Sequence, residues 1–231
     1  LVEIISKTGR KGLKWALDKY NKLIEIATEV KPLFIKHSSS TILLNTTITF
    51  IKTLQHHMKF IEDEIYKVIA DNPGYISKAI EILDSIPGVD VISAAAILGE
   101  IGDFSAFKSP KQLVAFFGID PSQKDSGQFK STKNKISKRG SKILRRVLYT
   151  ITMANVRKKC NKELLNPVLY EYYKKKLISK PKKVALVVVM HKLVYIIFAV
   201  LRDQKPFELR TPEEHKKLLA LKASQHQRKS A

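Results

Sequence analysis

Apolar residues recur at helical spacing along much of the chain. Leu13, Ala16, Tyr20, Leu23, Ala27 and Val30 alternate steps of three and four, which keeps one seam apolar along a helix. Leu44, Thr47, Ile51, Leu54, Met58, Ile61, Ile65 and Val68 repeat the pattern. Between the two runs lie Pro32 and the polar Ser38-Ser39-Ser40-Thr41, and Asn72-Pro73-Gly74 closes the second with residues that cannot continue a helix. Two heptad helices split by a breaker predict an antiparallel hairpin or a dimerising coiled coil. Two ordinary amphipathic helices of a bundle are the alternative.

From Tyr75 the pattern predicts shorter helices. One runs to Leu83, and a second, rich in Ala94-Ala95-Ala96, runs from Val91 to Leu98. The Ile86-Pro87-Gly88-Val89 turn between them resembles the hairpin of a helix-hairpin-helix unit, in which glycine lets backbone amides approach a DNA phosphate. Pro87, Gly88 and Val89 are therefore candidate DNA contacts, with a purely structural Pro-Gly turn as the alternative. Further on, Ser137 is a possible cap for a helix burying Ile143, Leu144, Val147, Leu148, Ile151 and Ala154. Asn166-Pro167 opens another helix, a long apolar one follows Pro181, and the last twenty or so residues form a polar, frayed tail. The apolar run Val184 to Leu201 is interrupted by His191-Lys192 and reads as a buried helix, not a membrane span. The fold class is mainly α, with a short irregular or β-hairpin loop. Expected domains are a coiled-coil helical hairpin over 1–74, a helix-hairpin-helix-like unit over 75–105, a basic helical domain over 106–208 and a polar tail over 209–231.

Charge sharpens this picture. The 231 residues carry 42 Lys and Arg against 21 Asp and Glu, a formal net charge of +21, which points to a polyanionic partner, nucleic acid before a membrane surface. Between Lys108 and Lys183 there are 21 basic residues against only Asp120, Asp125, Glu163 and Glu171. The densest stretch runs from Lys124 to Arg146 and continues onto the exposed side of an amphipathic helix, unlike an ordinary solvated charge run. Lys130, Lys138, Arg139, Gly140, Lys142, Arg145 and Arg146 are the candidate phosphate contacts.

The lone Cys160 excludes an internal disulfide framework and zinc fingers, and suits a reducing compartment. Leu1-Val2-Glu3 begins without Met or a basic-then-apolar leader, so the expectation is a piece of a longer protein. No phosphate-binding loop, dinucleotide fingerprint or zinc-protease motif occurs. His56-His57 beside Glu62, Asp63 and Glu64 reads as a solvated helix face, since adjacent helical side chains diverge by about 100°. No metal site is expected in this chain.

Asp125-Ser126-Gly127, taken bare, is a turn. Encircled by lysines and arginines, its serine could attack a phosphodiester. The resulting phosphoserine linkage would conserve the bond for religation, with the cations stabilising the transition-state charge.

The ordered run Ile86-Pro87-Gly88-Val89, Ala94-Ala95, Glu100-Ile101-Gly102-Asp103-Phe104, Leu113-Val114-Ala115-Phe116, Gly118-Ile119-Asp120-Pro121, Ser126-Gly127, Ile136-Ser137-Lys138-Arg139-Gly140, Leu144-Arg145 and Leu148 resembles the C-terminal transposase domain of the IS-one-ten family of insertion-sequence transposases, which includes the Piv-type DNA invertases. Asn166-Pro167, Tyr172-Tyr173-Lys174, Ala185, His191-Lys192-Leu193 and Leu201-Arg202 resemble its closing helices, so the likeness covers Leu83 to Phe207. The resemblance makes Ser126 the catalytic serine, though Asp125 and Gln128 stand where many members have Ser and Gly. It implies that the coiled coil holds protomers of a homo-oligomer together. A RuvC-like domain outside this sequence would carry four carboxylates and Mg2+, so no cofactor is expected in the chain itself. The implied partners are DNA and a structured bridge RNA, in the cytoplasm at the nucleoid. The fragment alone should bind nucleic acid without recombining it. Rival readings are a non-catalytic binding module resembling the RuvA proteins and a coiled-coil structural partner whose charge only solubilises it.

Overall fold

The computed structural model describes residues 2–9, 12–30, 38–122, 135–158 and 163–229. Among these, regular structure is almost wholly helical, in agreement with the mainly α expectation. Contacts divide the chain into two units, Leu1–Phe60 and Ile61–Ala231. The division falls inside a helix rather than after Gly74.

In the first unit, α1 (Val2–Gly9) folds back onto α2 (Leu13–Val30). Trp15 seals this pair: a Cβ on Gly9 would sit 2.6 Å from the indole, and Ala16 beside it is fully buried. The expected hairpin between the two heptad helices does not form among the described residues: α2 packs on α1, and its Leu13, Leu17, Leu23, Ile24 and Ile26 stay exposed. The 34-residue helix α3 (Ser38–Asp71) therefore keeps its seam uncovered, with Leu44, Ile51, Leu54, Met58 and Ile61 all exposed. Its threonines stay helical by bonding backward: Thr46, Thr47 and Thr53 each donate a hydroxyl to the carbonyl four residues earlier.

The second unit is built around one apolar helix. Seven further helices follow α3: α4 (Tyr75–Asp84), α5 (Val91–Ile101), α6 (Pro110–Phe116), α7 (Lys142–Val156), α8 (Pro167–Ser179), α9 (Lys182–Asp203) and α10 (Pro212–Lys229). The long apolar helix is α9, which buries ten side chains and receives α4, α6, α7 and α8 on its sides. A helix apolar on nearly every side belongs inside a core, and more than half of this one is buried there. Its one strongly polar pair is accommodated: Lys192 reaches solvent, and the half-buried His191 ring bonds the Ile119 carbonyl at 2.8 Å.

Leu83, Ile86, Ile97, Leu113, Phe117, Leu144, Leu148, Leu193 and Ile197 belong to a single core. The expected boundary at residue 105 therefore separates no two cores; the Pro-Gly turn and the basic helices fold as one body.

Local sequence explains most helix starts. Asp90, Ser109, Ser141 and Asn166 each accept an amide hydrogen bond at the N-terminus of α5, α6, α7 and α8. Ser93 NH donates to Asp90 at 2.7 Å, and this bonding by Ser93 holds the Asp90 carboxyl below its ordinary range. The cap of α7 is Ser141, not Ser137. On α7, Ile143 and Ala154 face solvent, and the buried side is Leu144, Leu148, Ile151, Thr152, Asn155 and Val156. The tail is likewise not frayed at its start: Thr211 and Glu214 form a reciprocal capping box that opens α10, and Lys216 reaches Glu171 of α8 at 3.5 Å.

Candidate nucleic-acid interface at the stem of the serine loop

Two glycines meeting back to back set the geometry of the basic region. Gly118, just after α6, has φ +65° and lies against Gly140, just before α7. A Cβ on Gly140 would fall 1.9 Å from the Phe116 carbonyl oxygen and 2.6 Å from Gly118 N; one on Gly118 would fall 2.6 Å from Gly140 N. Only glycine permits this approach at either position.

The contact lets residues 116–122 and 135–141 zip together as an antiparallel stem. Ser122 NH donates to Lys135 O (2.7 Å), Ser137 NH to Asp120 O (2.7 Å), Lys138 NH to Gly118 O (3.0 Å) and Ser141 NH to Phe116 O (3.0 Å). Pro121 and Ile136 form the bridge nearest the loop end. Side chains reinforce the backbone: the Ser122 hydroxyl donates to Lys135 O at 2.9 Å, and the Ser137 hydroxyl donates to the Asp120 carboxylate. Lys138 takes a left-handed φ of 56°, a conformation that costs a non-glycine residue about 1 kcal/mol.

Three more residues tie the stem to the helical body. Arg145 turns inward, its Nη1 donating to Gly140 O at 2.8 Å and Phe117 O at 3.3 Å. Ser141 both caps α7 and donates its hydroxyl to Glu100 of α5 at 2.6 Å. His191 holds the Ile119 carbonyl from α9. A planar guanidinium with several fixed donors suits two carbonyls arriving from different segments, which makes Arg145 a clamp on the stem.

The candidates thus divide. Lys138, Arg139, Lys142 and Arg146 are exposed around the stem and the first turn of α7, with no acidic side chain in that turn. Arg145 and Gly140 are brought to the same place but are engaged in packing and backbone bonds. Ser126 and Lys130, together with Cys160, lie outside the described residues.

Pro87, Gly88 and Val89 sit apart from this cluster in sequence, at the α4–α5 turn. Asn155 of α7 donates to the Pro87 carbonyl at 2.7 Å, and a Cβ on Gly88 (φ +85°) would meet Asn155 Nδ2 at 2.9 Å. Val89 is buried, and its NH bonds Ile86 O at 3.0 Å. The turn therefore owes its glycine at least in part to packing on α7, while the outer backbone of Gly88 stays exposed. Among the described residues no group of three or more His, Cys, Asp or Glu could hold a metal ion.

Sequence reasoning did not single out Glu100, Asp120, Asn155 or His191 as partners of the stem and turn. For Glu100 and Asp120 the available signal was an acidic residue amid a basic, glycine-punctuated run. For Asn155 it was a polar residue on the α7 stripe.

Residues 80–174 match the sequence profile described as the transposase IS116/IS110/IS902 family. The pilin gene-inverting protein of Moraxella bovis is 29% identical over 156 residues, 66% of this chain and 46% of that protein. A transposase for insertion sequence element IS1111A from Coxiella burnetii is 41% identical over 66 residues, 29% of this chain and 18% of that protein. An insertion element IS110 43.6 kDa protein of Streptomyces coelicolor, described as uncharacterized, is 29% identical over 133 residues, 57% of this chain and 31% of that protein. The chain thus spans about half the length of the pilin gene-inverting proteins it matches.

Proposed function

We propose, from the match of residues 80–174 to the IS116/IS110/IS902 transposase profile, that this chain is a member of that family and the DNA-holding and serine-bearing part of a DNA recombinase. The observation that carries the reading is the stem, four backbone hydrogen bonds and a half-buried arginine clamp at the base of the segment that carries Ser126, amid exposed Lys138, Arg139, Lys142 and Arg146. A reactive group needs a rigid base if it is to meet a phosphodiester in line. In the proposed step the Ser126 oxygen bonds to phosphorus and the P–O bond to a sugar oxygen breaks. The serine gives up its proton and the departing sugar oxygen gains one. A second sugar hydroxyl attacking the phosphoserine reverses the process and rejoins the strand. The carboxylates and Mg2+ implied by the family resemblance would belong to a RuvC-like domain outside this sequence, and a structured RNA would choose the target.

DNA binding is tested directly. The chain should bind duplex DNA with little sequence preference, and four neutralised phosphates give log K against log salt a slope of about −3.6. Replacing Lys142 and Arg146 by alanine should roughly halve that slope, because each exposed cation releases its own counterions. A slope near zero in the parent chain, or no binding at low salt, would defeat the reading.

Self-association through α3 forms part of the same proposal. An apolar seam at heptad spacing, uncovered along a 34-residue helix, is the side a second copy would pack on. Analytical ultracentrifugation of Leu54→Asp or Ile61→Asp should give a smaller mass than the parent, since a charge would have to be buried in the paired seam. Equal monomeric masses would remove the oligomer from the proposal.

A further inference from the structure

Beside the stem lies an open cleft of about 500 Å3, on the second unit's own surface. Pro121 and Ile136, the bridge nearest the serine loop, form one wall. Val184, Val187, Val188 and His191 of α9 line it too, as does the half-buried Tyr172 of α8. Its charged lining consists of Lys135 and Lys192, and the Lys176 ammonium stands 5.3 Å from the centre of the Tyr172 ring. Among the described residues no carboxylate lines it.

This combination is chemically specific. Apolar walls and an aromatic face accept a flat, weakly hydrated group, while the lysines around the mouth call for negative charge outside the slot. An apolar side chain from a protein would satisfy the walls and leave the lysines facing nothing. A nucleotide satisfies both, with its base in the slot and its phosphates on the lysines. In a paired duplex the base faces are covered by their neighbours, so the occupant must have left the stack. The 420 Å3 cleft on the other side of Lys192 is lined by Asp203 and Glu208 as well as basic groups, and it lacks this charge match.

We infer that the cleft between the stem, α8 and α9 captures one unstacked base of the bound DNA, so fixing the strand beside the loop that carries Ser126. The inference rests on the DNA-acting reading above and adds to it a base-binding site that stacks on Tyr172.

The test compares the full chain on three duplexes of one sequence: fully paired, bearing one extrahelical adenine, and bearing one extrahelical abasic nucleotide. The adenine bulge should bind about tenfold tighter than either of the others, since its base is already unstacked and gains an aromatic partner. Val188→Trp, which fills the slot, and Tyr172→Ala should each remove that preference while leaving affinity for the paired duplex unchanged. Tyr172→Phe should keep it. An abasic bulge bound as tightly as the adenine bulge would overturn the inference, because flexibility alone would then explain the preference. So would a preference that survives Val188→Trp. Failure to bind any of the duplexes would instead defeat the DNA-binding reading itself.

Discussion

Gly140→Ala is expected to cost the second unit at least about 3 kcal/mol of stability, an effect reserved for substitutions that force backbone apart or overfill a core. The new Cβ would lie 1.9 Å from the Phe116 oxygen and 2.6 Å from Gly118 N, and both are main-chain atoms with nowhere to go. Phe116 O is held by Ser141 NH, and the Gly118 carbonyl is held by Lys138 NH. Relief requires opening the stem, which would also strand the Arg145 guanidinium that Gly140 O and Phe117 O now satisfy. Urea unfolding followed by circular dichroism should show a markedly lower midpoint. Gly99→Ala is the matched control: it lies in α5 with nothing within 4 Å of the added carbon, so it should be neutral or gain up to about 1 kcal/mol. A Gly140→Ala protein that unfolds with its parent but loses DNA affinity would make Gly140 a phosphate contact after all.

That glycine also marks where the sequence stops being legible. The helices α2 to α5 and α7 to α9 could be read from apolar spacing, α1, α6 and α10 could not, and Asn166 was the helix start correctly read from a short polar residue. Ser137 and Ser141 look alike by that rule, because each precedes the same amphipathic stretch. What separates them is a tertiary contact: Gly140 pressed against Phe116 turns Ser137 back toward Asp120 and leaves Ser141 at the helix start. The clamp role of Arg145 escaped the sequence for a related reason. Periodicity can assign a residue to the edge of a buried stripe, but not reveal that two carbonyls from residues 117 and 140 arrive there.

The heptad runs were legible as helices, while their pairing was not, since a seam of leucines and isoleucines does not say whether its partner lies in the same chain. In the structure α1 packs on α2, while most of the apolar side chains of α2 and α3 stay exposed. Functional residues followed the same division. Charge density located the exposed cations Lys138, Arg139, Lys142 and Arg146, whereas His191 and Asn155, which hold stem and turn from across the core, have neighbours in sequence that say nothing of their partners.

Joined to a RuvC-like domain, the protein should form a covalent complex with DNA that survives denaturation, and Ser126→Ala should abolish it. Affinity for DNA should change little, because the hydroxyl supplies a nucleophile and few ground-state contacts, so its loss falls on the chemical step. Two neighbouring serines serve as controls. Ser122 donates its hydroxyl to Lys135 O in the stem, so Ser122→Ala should cost about 1 kcal/mol of stability and leave the adduct intact. Ser131 matches no family position and should tolerate alanine without effect on the adduct. The measurement is a denaturing gel of the reaction followed by mass spectrometry of the DNA-linked peptide, which should contain Ser126 as the modified residue. If Ser126→Ala still recombines DNA, or if the adduct maps to Ser122, the serine assignment fails while the stem, the basic face and the match to the family profile all stand. The stem then has a different reactive group to present, and Gly140→Ala separates that case from simple misfolding. A variant whose stem is broken loses the adduct and its folded midpoint together, whereas loss of the nucleophile alone leaves the midpoint where it was.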